Sequence, residues 1–321
     1  MSAAHRLVVG TRGSALALWQ TERVRALLLG TGVPTEREEI RTTGDVILDT
    51  PLSKIGSRAL FTKQLDDALL EGRIDLAVHS LKDLPTTLPA GIAICAVGLR
   101  EDPRDALVGK DGVTFDGLPE GATLATSSLR RRSQLLRRRP DLRIVDIRGN
   151  VDTRLAKLEA NAGWHGIVLA SAGLVRLGFA GRIAERLPLD WMLPAPGQGA
   201  LAVTVRDGDA EVAHLVRAAL HDGPTALCVA AERAFLRRLE GGCQVPVAAH
   251  ADLLDGHLRL RGAVGSLDGR DMVTGTERCV VATEHQAVDV GLRLAERLIG
   301  EGAERILVEV RTGAPAPVGE P

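Results

Sequence analysis

The chain has 321 residues, a formal net charge of -1, and 45% hydrophobic and 25% charged residues. That is the make-up of a soluble globular protein of two or three domains with a substantial core. The near-neutral charge argues against a general polyanion binder, and three Trp, four Phe and no Tyr leave few platforms on which single-stranded nucleic acid could stack.

Through the first two thirds, short runs rich in Val, Ile and Leu alternate with helical patterns. The runs are Leu7–Gly10, Ile74–Val78, Ile92–Val97, Ala122–Ala125, Ile144–Ile147, Ile167–Ala170 and Leu201–Val205. This pattern predicts an α/β fold with mixed, largely parallel, buried sheets. A helix is expected over Ala15–Leu29, after Ser14, and another over Leu129–Arg139, after Ser127 and Ser128 and stopping at Pro140. From about Gly223 the pattern becomes α+β. A helix is expected over Thr225–Leu239, then period-two strands punctuated by Asp255-Gly256 and Asp268-Gly269 as hairpin turns, a helix over Gln286–Ile299 and a strand over Ile306–Val310. Two loops mix glycine with charge, one from Thr43 to Phe61 and one from Leu193 to Gly199, the second a candidate interdomain crossing. The Pro- and Gly-rich end from Gly313 to Pro321 is expected to fray.

Met1 to Gly10 shows no leader pattern and no apolar run reaches membrane-spanning length, so a cytoplasmic protein without a membrane partner is expected. Four cysteines lie far apart with no C-x-x-C pair, which suggests neither a metal site nor a disulfide framework. Cys95, Cys228 and Cys279 sit in apolar patterns and are expected to be buried core thiols. Cys243 differs. It lies in Glu240-Gly-Gly-Cys-Gln-Val-Pro246, just after a helix, where an accessible thiol could attack an electrophile or carry a group covalently; the plainer alternative is a helix end with an incidental cysteine.

Between Thr126 and Arg154 stand nine arginines against three acids, a local excess that points to an anionic partner. Arg130 and Arg131 fall in the first turn of the 129–139 helix, where cations oppose the helix dipole unless an anion compensates them. Arg137, Arg138 and Arg139 close that helix, where cations are favourable, and are expected on a solvated face. His79-Ser80-Leu81-Lys82-Asp83 holds hydrolase residue types, but neighbours on a strand point to opposite faces, so His79 and Ser80 would not meet. A better reading puts the segment at the carboxyl end of a buried strand, with Ser80, Lys82 and Asp83 reaching into a cleft; the alternative is a solvated loop with one ion pair. Gly197-Gln-Gly199-Ala-Leu-Ala202 lacks the strand-then-helix context of a dinucleotide site.

Taken together, Thr11-Arg-Gly-Ser14, Leu16-Ala-Leu-Trp-Gln20, Gly44-Asp-Val-Ile-Leu-Asp-Thr-Pro-Leu52, His79-Ser-Leu-Lys-Asp83, Arg100-Glu-Asp-Pro-Arg-Asp105, Thr126-Ser-Ser-Leu-Arg-Arg131, Arg148-Gly-Asn-Val151, Pro196-Gly-Gln-Gly199 and the Cys243 segment resemble the porphobilinogen deaminase (hydroxymethylbilane synthase) family. The resemblance runs in order from near the start to about Val310. It implies two periplasmic-binding-protein-like α/β domains, residues 1–100 with 200–220 and residues 101–199, a C-terminal α+β domain with a small antiparallel sheet, residues 221–312, and a tail, residues 313–321.

The family links four porphobilinogen molecules head to tail with loss of ammonia, on a dipyrromethane cofactor held by a thioether, and releases linear hydroxymethylbilane by hydrolysis. By motif match the thioether belongs on Cys243 and the catalytic carboxylate is Asp83, which would stabilise the electron-deficient azafulvene-type cation left by ammonia. The resemblance implies that Lys82, Thr126, Ser128, Arg130 and Arg131 hold the cofactor together with Asp83. It implies that Arg12, Ser14, Ser80, Arg148, Asn150, Arg154, Arg176 and Gln198 hold the carboxylate-bearing substrate and growing chain. Lys54, Arg58 and Phe61 would belong to a covering loop, with Arg58 standing where a lysine is frequent. A monomer that binds no nucleic acid is expected. The competing readings are a noncatalytic carboxylate-binding protein and, from the arginine cluster alone, a nucleic-acid module.

Overall fold

The computed structural model describes residues 6–42, 62–239 and 245–313. The expected covering loop with Lys54, Arg58 and Phe61, the attachment residue Cys243, and residues 314–321 of the expected tail lie outside the described residues. The strands, in chain order, are β1 (Leu7–Thr11), β2 (Thr35–Glu39), β3 (Leu76–Ser80), β4 (Ile92–Val97), β5 (Asp105–Gly109), β6 (Thr123–Ala125), β7 (Arg143–Val145), β8 (Gly166–Ala170), β9 (Glu185–Arg186), β10 (Leu201–Arg206), β11 (Val247–Leu254), β12 (His257–Gly265) and β13 (Met272–Val280). They form three sheets, ordered β2-β1-β3-β10-β4, β7-β6-β8-β5-β9 and β11-β12-β13.

The first two sheets share one plan, three parallel strands followed by an antiparallel one. In the first, β10 runs antiparallel to both β3 and β4; in the second, β5 runs antiparallel to both β8 and β9. The sheets are therefore mixed and largely parallel, as expected: four strands of each run one way, and β10 in the first and β5 in the second run against them. The reason is topological. β5 and β10 are the first strands after the two passages between the sheets, and an apolar run reports burial on both faces, not direction. The residue 193–199 loop is one of those passages, as its composition suggests.

Helix starts follow their caps. The Ser14 hydroxyl accepts the Ala17 N–H at the head of α1 (Ala15–Gly30), and Ser128 accepts the Arg131 N–H at the head of the helix Leu129–Arg138. Asp222 caps Gly223–Arg238, which has Pro in its first turn, and Thr283 with Gln286 forms a capping box on Glu284–Leu298. These last two helices pack together over the third sheet, around Phe235, Leu260, Val290 and Leu294, all fully buried.

Two expectations in the C-terminal part need correction. The segment read as a strand over Ile306–Val310 is a helix, Glu304–Thr312. Ala303, Ile306 and Leu307 are buried and Val310 is half-buried, a spacing of three and four that belongs to a helix. Asp255 and Gly256 do form a two-residue hairpin turn, with φ of 51° and 73°, but Asp268-Gly269 sits in a longer loop between β12 and β13 in which Gly269 alone of the pair has positive φ. Cys95 and Cys228 are buried, and burial pushes both thiols up to about 12, whereas Cys279 is only half-buried on β13.

Candidate active site

β3 ends at Ser80 and the chain turns at once into one 3-10 turn, Leu81–Asp83. Pairing of Ser80 with Leu201 and donation from the Leu81 N–H to the Ala200 carbonyl (3.1 Å) fix this turn against β10. The two neighbours on the strand diverge. His79 turns inward to the Thr204 hydroxyl at 3.1 Å, and burial with the nearby Arg12 charge lowers its pKa to about 4. Ser80 turns the other way and accepts from Gln20 Nε2 at 2.8 Å, so the two form no hydrolytic pair.

Asp83 lines two clefts. The larger, about 460 Å³, has a polar end of Lys82, Ser128, Arg130, Arg131 and Gln198 and apolar walls that include Leu84, Leu88 and Leu236. The smaller, about 50 Å³, is lined by Arg12, Ser14, Gln20, Thr62 and Ser80 among others. The carboxyl end of a buried strand thus brings Asp83 to a meeting point of two concavities, both flanked by cations.

The cations of the larger cleft are held in one network. Lys82 Nζ donates to Gln198 Oε1 (3.3 Å), and Gln198 Nε2 donates to Asp105 Oδ1 (3.0 Å). Arg130 and Arg131 both grip Asp105, at 2.6 Å and 2.8 Å, and send further donors to the carbonyls of Leu193 (2.7 Å) and Val168 (2.8 Å). Burial would raise the Asp105 pKa, but the two guanidiniums prevail and hold its carboxyl far below the usual range. Burial brings Lys82 down to about 8; Arg130 and Arg131 push the same way, while Asp83 and Asp105 oppose them. The anion that offsets the two arginines at the head of the 129–138 helix is therefore supplied in part by the protein itself.

The other expected residues are placed as follows. Thr126 is buried and its hydroxyl accepts the Ser128 N–H at 3.2 Å. Arg154 donates to the Gly149 carbonyl at 2.8 Å; burial lowers it to about 10, with Arg131 and Arg148 acting in the same direction and Asp83 against. Asn150 is exposed at the head of the helix Val151–Ala160, and Arg148 is half-buried nearby. Arg176 stands apart from the lining of both clefts. It is 8% exposed, donates to the Gly199 carbonyl at 2.7 Å and lies over the Trp19 ring at 5.6 Å, bridging the first and second sheets' units. Arg137 and Arg138 are exposed as expected, although Arg137 donates to the Arg270 carbonyl and Arg139 is paired with Asp141.

Residues 7–214 match the family described as "Porphobilinogen deaminase, dipyromethane cofactor binding domain", and residues 226–300 match "Porphobilinogen deaminase, C-terminal domain". The chain is 55% identical over 308 residues to the porphobilinogen deaminase of Rubrobacter xylanophilus, covering 96% of this chain and 98% of the relative. It is 53% identical over 303 residues to that of Syntrophotalea carbinolica, covering 94% and 95%. The chain belongs to the porphobilinogen deaminase family. A looser likeness, of fold alone, links 68% of this deaminase-family chain to 93% of a periplasmic substrate-binding protein from Coxiella burnetii (17% identity, TM-score 0.42).

The larger cleft suits the two-ring group named in the family's first domain. Flat apolar rings would lie against Leu84, Leu88 and Leu236, and their carboxylates would meet Lys82, Arg130 and Arg131. Val245, on the cleft wall, is two residues along the chain from Cys243.

Sequence reasoning missed Asp105, Glu232 and Gln20 in this member of the deaminase family. Asp105 stood in a quoted motif without a role, although the two arginines in a first helical turn already called for an anion. Glu232 is fully buried and was legible as a charge between Ala231 and Ala234 on the apolar face of its helix.

Proposed function

We propose that this chain joins four porphobilinogen molecules head to tail with loss of ammonia and releases hydroxymethylbilane by hydrolysis, as a transferase of tetrapyrrole biosynthesis. The observation that carries this reading is the position of Asp83, one carboxylate on the walls of two clefts flanked by arginines. The dipyrromethane group, held by Cys243 through a thioether, supplies when bound the pyrrole carbon to which the first substrate is joined.

Arg12 and Ser14, on the smaller cleft, take the acetate and propionate of the incoming pyrrole, with Ser80 as a further donor. Asp83 lies alongside the ring. When ammonia leaves, positive charge spreads over ring and methylene, and the fixed carboxylate offsets it without the reorganisation that water would need. The same carboxylate offsets the charge that builds on the attacking pyrrole, and its N–H groups are natural donors to Asp83. Lys82, Ser128, Arg130 and Arg131 hold carboxylates on the other side of Asp83, with Thr126 setting the Ser128 backbone. Arg148, Asn150, Arg154, Gln198 and Arg176 take the lengthening chain, Arg176 through donors other than the one used by Gly199. A covering role for Lys54, Arg58 and Phe61, which lie outside the described residues, rests on the family resemblance.

The chain divides into domains at residues 1–100 with 200–220, 101–199 and 221–312, a reading supported by the three separate sheets. It works in the cytoplasm as a monomer without nucleic acid; the near-neutral charge agrees with this, and no helix among the described residues is long and apolar enough to cross a membrane. Intact-mass measurement tests the reading: the purified chain carries the mass of two linked pyrrole units and Cys243→Ser loses it. An unmodified chain that turns over at full rate would overturn it.

A further inference from the structure

Asp105 touches neither cleft, yet every cation at the polar end of the larger one is tied to it. It is the first residue of β5 and has no exposed surface. Arg130 reaches it through Nη1 (2.6 Å) and Nη2 (3.3 Å), and Arg131 through Nε (2.9 Å) and Nη2 (2.8 Å). Gln198 reaches it through Nε2 (3.0 Å) while accepting from Lys82 with Oε1 (3.3 Å). With the Leu193 and Val168 carbonyls taking further donors, each guanidinium keeps only part of its five-donor fork for a ligand.

We propose that Asp105 is a positioning residue of the deaminase cleft: it fixes the edge that Arg130 and Arg131 present to the ligand's carboxylates and, through Gln198, holds the Lys82 ammonium in the same array. Free arginines on a wall could meet a carboxylate in many poses. Two forks locked on one buried carboxylate can meet it in few, so less ordering remains for the ligand to impose. The residue also sets the charge of the array. Among the described residues Lys82, Arg130, Arg131 and Arg154 outnumber the carboxylates of Asp83 and Asp105, and without Asp105 the excess of positive charge grows by one.

Lys82 is where this excess would register. It is faced by Asp83 on its own turn, by Arg130 and Arg131 from the 129–138 helix, and by Asp105 on β5, with Gln198 as its neutral acceptor; Arg154 from the 151–160 helix acts on Arg131 and Asp83. Asp105 favours the charged ammonium against burial and both arginines. Removing it lowers the Lys82 pKa further.

The proposal rests on the deaminase reading for its ligand, but its test does not. The rate at which Lys82 is acetylated by acetic anhydride, followed by peptide mass mapping across pH, reports its proton directly in the full chain. The parent midpoint is expected near about 8. In Asp105→Asn it falls by about one pH unit, the scale of a nearby buried charge, and the alkaline limb of kcat/KM moves with it. A purely structural role for Asp105 would lower the melting temperature and leave the midpoint in place, and that result overturns the proposal. Should Asp105→Asn not fold, Gln198→Met decides, because it cuts the relay and leaves both arginines on their carboxylate. It lowers the midpoint if the relay operates, and an unmoved midpoint overturns it.

Discussion

Glu232 and Arg100 form a bidentate pair, 2.6 Å and 3.1 Å, across the join between the C-terminal helix pair and the passage from the first sheet to the second. Glu232 also accepts the N–H groups of Gly197 (2.6 Å) and Ala251 (2.7 Å), while Arg100 Nε donates to the Gln198 carbonyl (2.9 Å). One fully buried carboxylate therefore joins both passages between the first two sheets and the third sheet. The next helical residue, Arg233, donates to the carbonyls of Pro85 and Thr86 on the wall of the larger cleft. The helix that leads to Cys243 is thus fastened to the unit that carries Asp83.

Truncating this carboxylate strands a half-buried guanidinium and two N–H groups. Glu232→Ala is expected to lose about 3–5 kcal/mol of stability, seen as an earlier urea midpoint. Arg100→Ala should lose a similar amount, and the double variant much less than their sum, because the second change removes a group already unpaired. Additive losses would show that the pair does not act as a unit.

Asp83→Asn keeps the shape of the turn and removes its charge. We expect kcat to fall by at least about 100-fold, the usual loss when a fixed transition-state charge partner is removed. The mass of the attached pyrroles should remain, because the proposed attachment is at Cys243 and not at Asp83. Near-parent turnover would rule out the electrostatic role.

Lys82 should give the site an alkaline limit. Its ammonium is lost as pH rises through about 8, so carboxylate binding is expected to weaken there and KM to rise. Stability runs the other way. The folded chain releases this proton at about 8 while the unfolded chain keeps it to near the ordinary lysine value of 10.5, so the cost of burying the ammonium, full below about 8, fades as pH rises through that window. Lys82→Arg, which stays charged, should remove the limb from the KM profile; a limb unmoved in that variant would assign it to another group.

How much of this was legible depends on what each residue must satisfy. Ser14 and Ser128 were readable as caps because capping is local, and the placement of Lys82 and Asp83 followed from the apolar run Ile74–Val78 just before them. β2 escaped notice because Thr35–Glu39 is a polar edge strand paired on one side only, and β5 begins on a charged residue. The direction of β5 and β10 is set by chain passages that periodicity does not record. Arg130 and Arg131 were legible as a demand for anions, but their partner Asp105 lies 25 residues from the first of them, and only folding brings the three together. Arg176 was legible as a cation, not as one held by Trp19 and the Gly199 carbonyl.

The second passage between the sheets depends on two glycines, and they should respond differently to a methyl group. Gly199 has φ of 92°, and a Cβ there would stand 2.4 Å from the Glu101 carbonyl oxygen, a backbone atom of the other passage. Gly197 has φ of 75°, and its Cβ would meet Leu81 Cδ2 at 2.1 Å, the end of a side chain that can change rotamer. Both substitutions carry left-handed strain of about 1 kcal/mol or more, but only Gly199→Ala must also push two backbone passages apart. The Gly199 carbonyl is moreover the acceptor for Glu101 N–H and for Arg176. Gly199→Ala should therefore melt well below Gly197→Ala and raise KM by displacing the adjoining Gln198 from Lys82. Equal melting temperatures for the two variants would mean that the passages yield more easily than their contacts indicate.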